Sequence, residues 1–177
     1  MNKTVAVKKI TVLAVMTALA VICSGSYPYG LTIRVGQFMK LSPIFIIIGI
    51  VASTYGWWEA ALVALLSDLI QSLTAGLGIS FAILTISTLT GLCFGLALGG
   101  GRTNLCNIVL SVLITQIIGS FVLTTAVLCF RYGLPLFPTV YWRLLQTVIM
   151  IAIEIPVLKL LLINVDIPHK LKKEGGR

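Results

Sequence analysis

Charge is scarce in this chain, and acid is scarcer still. Of 177 residues 10% are charged, with five Asp and Glu against thirteen Lys and Arg. A water-soluble domain carries about 25% charged residues, so this composition excludes one. Histidine occurs once, at His169 in a charged tail, which leaves neither the usual metal ligand nor the usual general base. No CxxC pair, HExxH helix, phosphate-binding glycine loop, paired catalytic carboxylates or Ser-His-Asp set is present. The sequence therefore predicts neither enzyme chemistry nor a bound cofactor or metal. Without an ATP motif, uphill movement of a solute must draw its energy from elsewhere. The cysteines are Cys23, Cys93, Cys106 and Cys129, and three lie in or beside apolar runs. They read as small packing residues, with no disulfide, metal or redox role.

Apolar sequence is what the chain has in abundance: 58% of residues, at a mean hydropathy of +1.08. A spanning helix takes roughly 20 residues, which leaves room for about six spans and none for a soluble catalytic domain. The expected fold is an all-α integral membrane protein, a bundle of about six transmembrane helices in one domain over residues 1–177. The spans fall at Val5 to Cys23, Leu41 to Tyr55, Ala60 to Thr74, Phe81 to Leu98, Leu105 to Phe130 and Tyr141 to Ile163. The stretch Ile10 to Cys23 keeps helical phase and reads as a first span rather than a cleaved leader. Ser24 to Gln37 reads as a long polar loop, Gly56-Trp57-Trp58-Glu59 as a tight turn with an aromatic belt, and Arg131 to Pro135 as a break.

Lys3, Lys8 and Lys9 at one end and Lys170, Lys172, Lys173 and Arg177 at the other are cytoplasmic anchors. An even number of spans puts both termini in the cytoplasm. The net charge of +8 then mostly reports contact with the lipid bilayer, not with nucleic acid. Arg34, Lys40, Arg131 and Arg143 fall near the outer face instead, against the positive-inside bias. An anionic solute bound from outside is one physical reason to keep them there. No span repeats another, so the inverted repeat of a secondary transporter is missing.

Polar residues inside the spans form stripes. In the sixth, Arg143, Gln146, Thr147, Met150 and Glu154 recur at steps of three and four, on one helix face. A guanidinium beside an amide suits a carboxylate and a heteroaromatic edge. A snorkelling anchor is the plainer reading of Arg143. In the third span Asp68 stands about 14 Å beyond Glu59, near mid-depth, where an ionisable group is a functional candidate by default. Its plainer reading is a carboxylate that holds helices together. Asp68 and Glu154 are the two buried ionisable candidates. Phe81, Thr85 and Gln116 are candidates in the outer halves of later spans. Ala14 and Ala18, and Gly91, Gly95 and Gly99, repeat every four residues and allow close helix approach.

These residues together resemble a known family. The features are the basic start, Ala14-xxx-Ala18, the loop ending in Leu31-Thr-Ile-Arg34, the Gly-Trp-Trp turn, the span near Asp68 and the stretch Gly78 to Gly91. They are similar to the substrate-binding S-component of energy-coupling factor (ECF) vitamin transporters. Pro135-Leu-Phe-Pro-Thr139, Arg143-xx-Gln146 and Glu154-Ile-Pro156 resemble the folate members. The likeness implies high-affinity binding and import of a vitamin, folate first, across a bacterial cell membrane. It implies two kinds of partner, a transmembrane T-component and two ATPase subunits, with Ala14 and Ala18 as the docking face. The substrate contacts it implies are Arg34, Gln37, Phe81, Thr85, Arg143 and Gln146. The sequence departs from the folate pattern at Gly78-Ile-Ser-Phe81, where a proline is missing. Pantothenate, a queuosine precursor or a hydroxymethylpyrimidine thus remain alternatives, as does a proton-coupled carrier working through Asp68.

Overall fold

A computed structural model describes residues 3–25, 31–35, 39–74, 80–99, 104–133 and 135–164. They form six helical rods and one small hairpin. The helices are α1 (Lys3–Ser24), α2 (Ile44–Tyr55), α3 (Trp57–Thr74) and α4 (Phe81–Leu98), then α5 (Leu105–Ile114), α6 (Thr124–Tyr132) and α7 (Leu136–Lys159). A π-helical segment, Thr115–Leu123, joins α5 to α6 as one rod, and a second, Leu160–Asn164, extends α7. Among the described residues four stretches are long and apolar enough to cross a membrane: Val7–Ser24, Phe81–Leu98, Leu105–Phe130 and Leu136–Leu162. At 12 residues α2 rises only about 18 Å, short of a bilayer core of about 30 Å.

Several boundaries differ from expectation, each for a local reason. Gly56 alone makes the reversal before α3, with φ 110, so Trp57, Trp58 and Glu59 are the first turn of that helix. Glu59 suits the positive end of the helix dipole there. Helix α7 starts at Leu136, not Tyr141. Pro138 lies in its first turn, where the missing N–H breaks no ladder bond, and the Thr139 hydroxyl donates to the Pro135 carbonyl at 2.7 Å. Pro156, deep inside α7, does remove a ladder bond, and the π segment follows four residues later.

The loop before α2 holds strands β1 (Ile33–Val35) and β2 (Met39–Leu41), which pair antiparallel with Arg34 opposite Lys40. The end of α1 anchors this hairpin. The hydroxyls of Thr32 and Ser42 both donate to the Cys23 carbonyl, at 2.9 and 3.0 Å, and the Gln71 amide donates to the Ser24 carbonyl at 2.5 Å. These bonds satisfy the terminal carbonyls that a helix leaves open. At the opposite end of the same helices, Lys9 of α1 pairs with Glu59 of α3 and lies 5.8 Å from the Tyr55 ring.

Helices α3 and α4 make the tightest contact. A Cβ on Gly91 would stand 2.7 Å from the Ala60 carbonyl oxygen, and one on Gly95 would stand 2.1 Å from the Trp57 Cα. Gly99 meets nothing within 4 Å, so only two rungs of the glycine ladder serve packing. The apolar core gathers Phe45, Val51, Ala60, Phe94, Val112 and Leu158 between α2, α3, α4, α5 and α7. All four cysteines are unbridged.

Candidate functional site

The face of α7 turned into the bundle is polar along most of its length. Thr139, Arg143, Gln146, Thr147, Met150, Glu154 and Leu158 are its buried residues, the order the three-and-four spacing predicts. Helix α7 packs on β2, α2, α5, α6 and the first π segment, so these side chains lie where the hairpin meets the second half of the bundle.

Arg143 carries the strongest electrostatic demand. It is 7% exposed, and its Nε finds no hydrogen-bond partner. Among the described side chains it is the only buried base, and the one ion pair, Lys9 with Glu59, lies at the far end of α3. A snorkelling anchor keeps its charged head outside the protein. This guanidinium is covered instead, with no carboxylate against it. Gln146, three residues on, is 5% exposed and engaged in an interaction of its own.

Thr147 lies on the polar stripe that the spacing predicts but is not among the ligand candidates read from the sequence. It lies one turn from Arg143, 7% exposed, with an unpartnered hydroxyl. Its spacing from Arg143 was the available signal; its unmet hydrogen bond requires the structure.

Glu154 and Gln116 form a separate, deeper pair. The Gln116 amide donates to one Glu154 carboxylate oxygen at 2.5 Å, and the two side chains are 8% and 2% exposed. Glu154 lies 11 residues beyond Arg143, about 16 Å further along α7. Gln116 stands in the π segment, and its bond to Glu154 places it with that residue and not beside Arg143. Glu154 does not pair with Lys159, which is exposed.

The other candidates scatter. Phe81 is 78% exposed at the first turn of α4, and Thr85 is exposed one turn on, its hydroxyl donating back to the Phe81 carbonyl at 2.9 Å. They share an outward stripe with Leu89 and Leu96, beside the buried face that meets α3. Arg34 stands in β1, whose partner strand packs on α7; Gln37 lies outside the described residues. Asp68 accepts a hydrogen bond from Ser87 across the α3–α4 contact. Ala14 and Ala18 both point outward on α1, flanked by exposed Val15, Leu19 and Ile22. Among the described residues no three of His, Cys, Asp and Glu gather as metal ligands would.

Comparison with known proteins adds three findings. The profile of the family described as "ECF transporter, substrate-specific component" matches residues 8–166. The crystal structure of FolT bound with folic acid superposes with a TM-score of 0.78 at 22% identity, covering 87% of this chain and 92% of that one. No curated protein matches by sequence.

Proposed function

We propose, on the premise that the chain belongs to the family of ECF transporter substrate-specific components, that it binds a carboxylate-bearing vitamin from outside the cell, and that folate is that vitamin. Membership makes it a substrate-binding transport subunit of the membrane and not an enzyme. The observation that carries the substrate reading is Arg143: a guanidinium buried in the bundle without an anion. An isolated buried charge costs several kcal/mol, on the order expected for a site completed by its ligand. FolT shares the fold, and its folic acid supports folate over the other carboxylate candidates.

The import cycle we infer runs in a bacterial cell membrane with both termini in the cytoplasm. The Lys9–Glu59 pair and the exposed Trp57 and Trp58 then lie at the inner face, the hairpin and the start of α7 at the outer. The energy comes from two ATPase subunits through a T-component that docks on Ala14 and Ala18. The decisive experiment is mass spectrometry of the compound that co-purifies, followed by calorimetric titration with folic acid. One-to-one binding without accumulation in liposomes is expected of the chain alone. Accumulation driven by a proton gradient, with no partner present, refutes the reading.

A further inference from the structure

We infer that Thr147 and Arg143 form one clamp for a single ligand carboxylate, and that the Thr147 hydroxyl sets the selectivity for that group; this rests on the substrate-binding reading above. The first observation is a broken habit. Threonines in this protein's helices donate back to the carbonyl four residues earlier, as Thr11, Thr17, Thr54, Thr85, Thr88 and Thr115 do. That bond satisfies a hydroxyl at no cost to the fold. Thr147 is in the middle of α7, where the Arg143 carbonyl is the equivalent acceptor, yet its Oγ1 has no partner. Leaving a buried hydroxyl unmet costs about 1–3 kcal/mol. Thr125 also has no partner but is only half-buried, whereas Thr147 is 7% exposed.

The second observation is the neighbour. The unmet Nε of Arg143 belongs to the preceding turn of the same face, about 6 Å along the axis. Nε–H donates and the hydroxyl can donate, so a carboxylate, with one oxygen for each, satisfies both at once. Charge balance narrows it further. Arg143 is the base of this clamp, the only buried one among the described side chains, and it neutralises one negative charge. A carboxylate brings one. A phosphate monoester brings nearly two, and the surplus is costly away from water. The clamp therefore selects carboxylic acids over their phosphorylated or neutral counterparts.

The test uses the full chain and two acid–neutral pairs: folic acid with its diamide, and pantothenate with the corresponding alcohol. Thr147→Val removes the hydroxyl at nearly constant shape. It is expected to weaken the acid about tenfold, the order of one hydrogen bond to a charged group, and to leave the neutral partner unchanged. Thr147→Ser restores the acid, and the double variant with Arg143→Ala loses less than the two single losses combined, because both grip one group. Melting temperatures of the free variants check that each folds. Pantothenate binding without folic acid binding removes the folate assignment and leaves the clamp supported if Thr147→Val weakens pantothenate alone. Equal losses for acid and neutral partner, no loss, or a wild type that takes neither acid overturns the clamp.

Discussion

Truncating Arg143 acts in opposite directions on the free and the loaded protein if its guanidinium grips a ligand. In the free protein the group is 7% exposed with an unmet Nε, so it is a net cost. Arg143→Met keeps an apolar stem of similar reach and removes the charge. The free variant should melt no lower than wild type, and higher if the desolvation cost outweighs the lost packing. In the loaded protein the same change removes one partner of a shielded charge pair, which costs about 2–5 kcal/mol. At about 1.4 kcal/mol per tenfold, affinity should fall roughly 30-fold to a few thousand-fold. Arg143→Ala should lose as much, and Arg143→Lys should recover little, because Lys lacks the planar fork. Calorimetry with folic acid reads the affinity, and melting with and without folic acid reads both states, since ligand raises stability as RT ln(1 + [L]/Kd). An anchor predicts the reverse: unchanged affinity, and Lys as good as Arg. Affinity within twofold of wild type in Arg143→Met and Arg143→Ala would falsify the assignment.

Three further outcomes follow from the packing. Ala14→Trp or Ala18→Trp should abolish ATP-driven uptake in liposomes that also hold the partner module, with folic acid affinity of the isolated chain kept; an equal loss of affinity means the pair supports the internal fold. Gly95→Ala should lower the melting temperature, because its Cβ meets backbone at 2.1 Å and overpacking costs about 1–3 kcal/mol, while Gly99→Ala, with nothing within 4 Å, should not. Gln116→Leu should destabilise the protein by about 1–3 kcal/mol because it leaves a buried carboxyl oxygen without its donor, whereas Glu154→Gln should fold normally; denaturation midpoints rank the two.

The sequence reveals most where one helix suffices to explain a feature. Phe81–Leu98 needs only an apolar run between a loop and a glycine cluster, and its bounds are those expected. The α7 stripe needs only a helical period, and the residues at that period are buried. Features that depend on a second element stay hidden. Strands β1 and β2 have three residues each, too few for a period-2 signal, and their support comes from α1 through Thr32 and Ser42. Which glycines pack depends on where α3 crosses α4, so Gly91, Gly95 and Gly99 look alike in sequence and differ in space. Gln116 reads from sequence as an outer-half candidate; its partner is Glu154, on another helix, and that pairing no single-helix count announces.

The same distinction bears on Asp68, the group that the sequence alone offered as a proton carrier. A carrier must meet water from each side in turn, and so must sit where elements can part. Asp68 is bonded to Ser87 across α3 and α4, helices that touch through glycine backbone at Gly91 and Gly95. Parting them would expose close backbone packing, where the favourable contacts are strongest and bistability is least expected. We propose that Asp68 serves as a cross-link between α3 and α4. Most of the unmet polar groups of the described residues lie in the other half, on α7 and the irregular rod beside it, where Arg143, Thr147 and Glu154 each keep an atom without a partner; Ser80, at the start of α4, is the exception. Unmet bonds and π-helical backbone mark where structure has been left to be completed by something else. On this chain that is the side of α7, not the α3–α4 frame, which is why a bound solute explains the arrangement better than a travelling proton does.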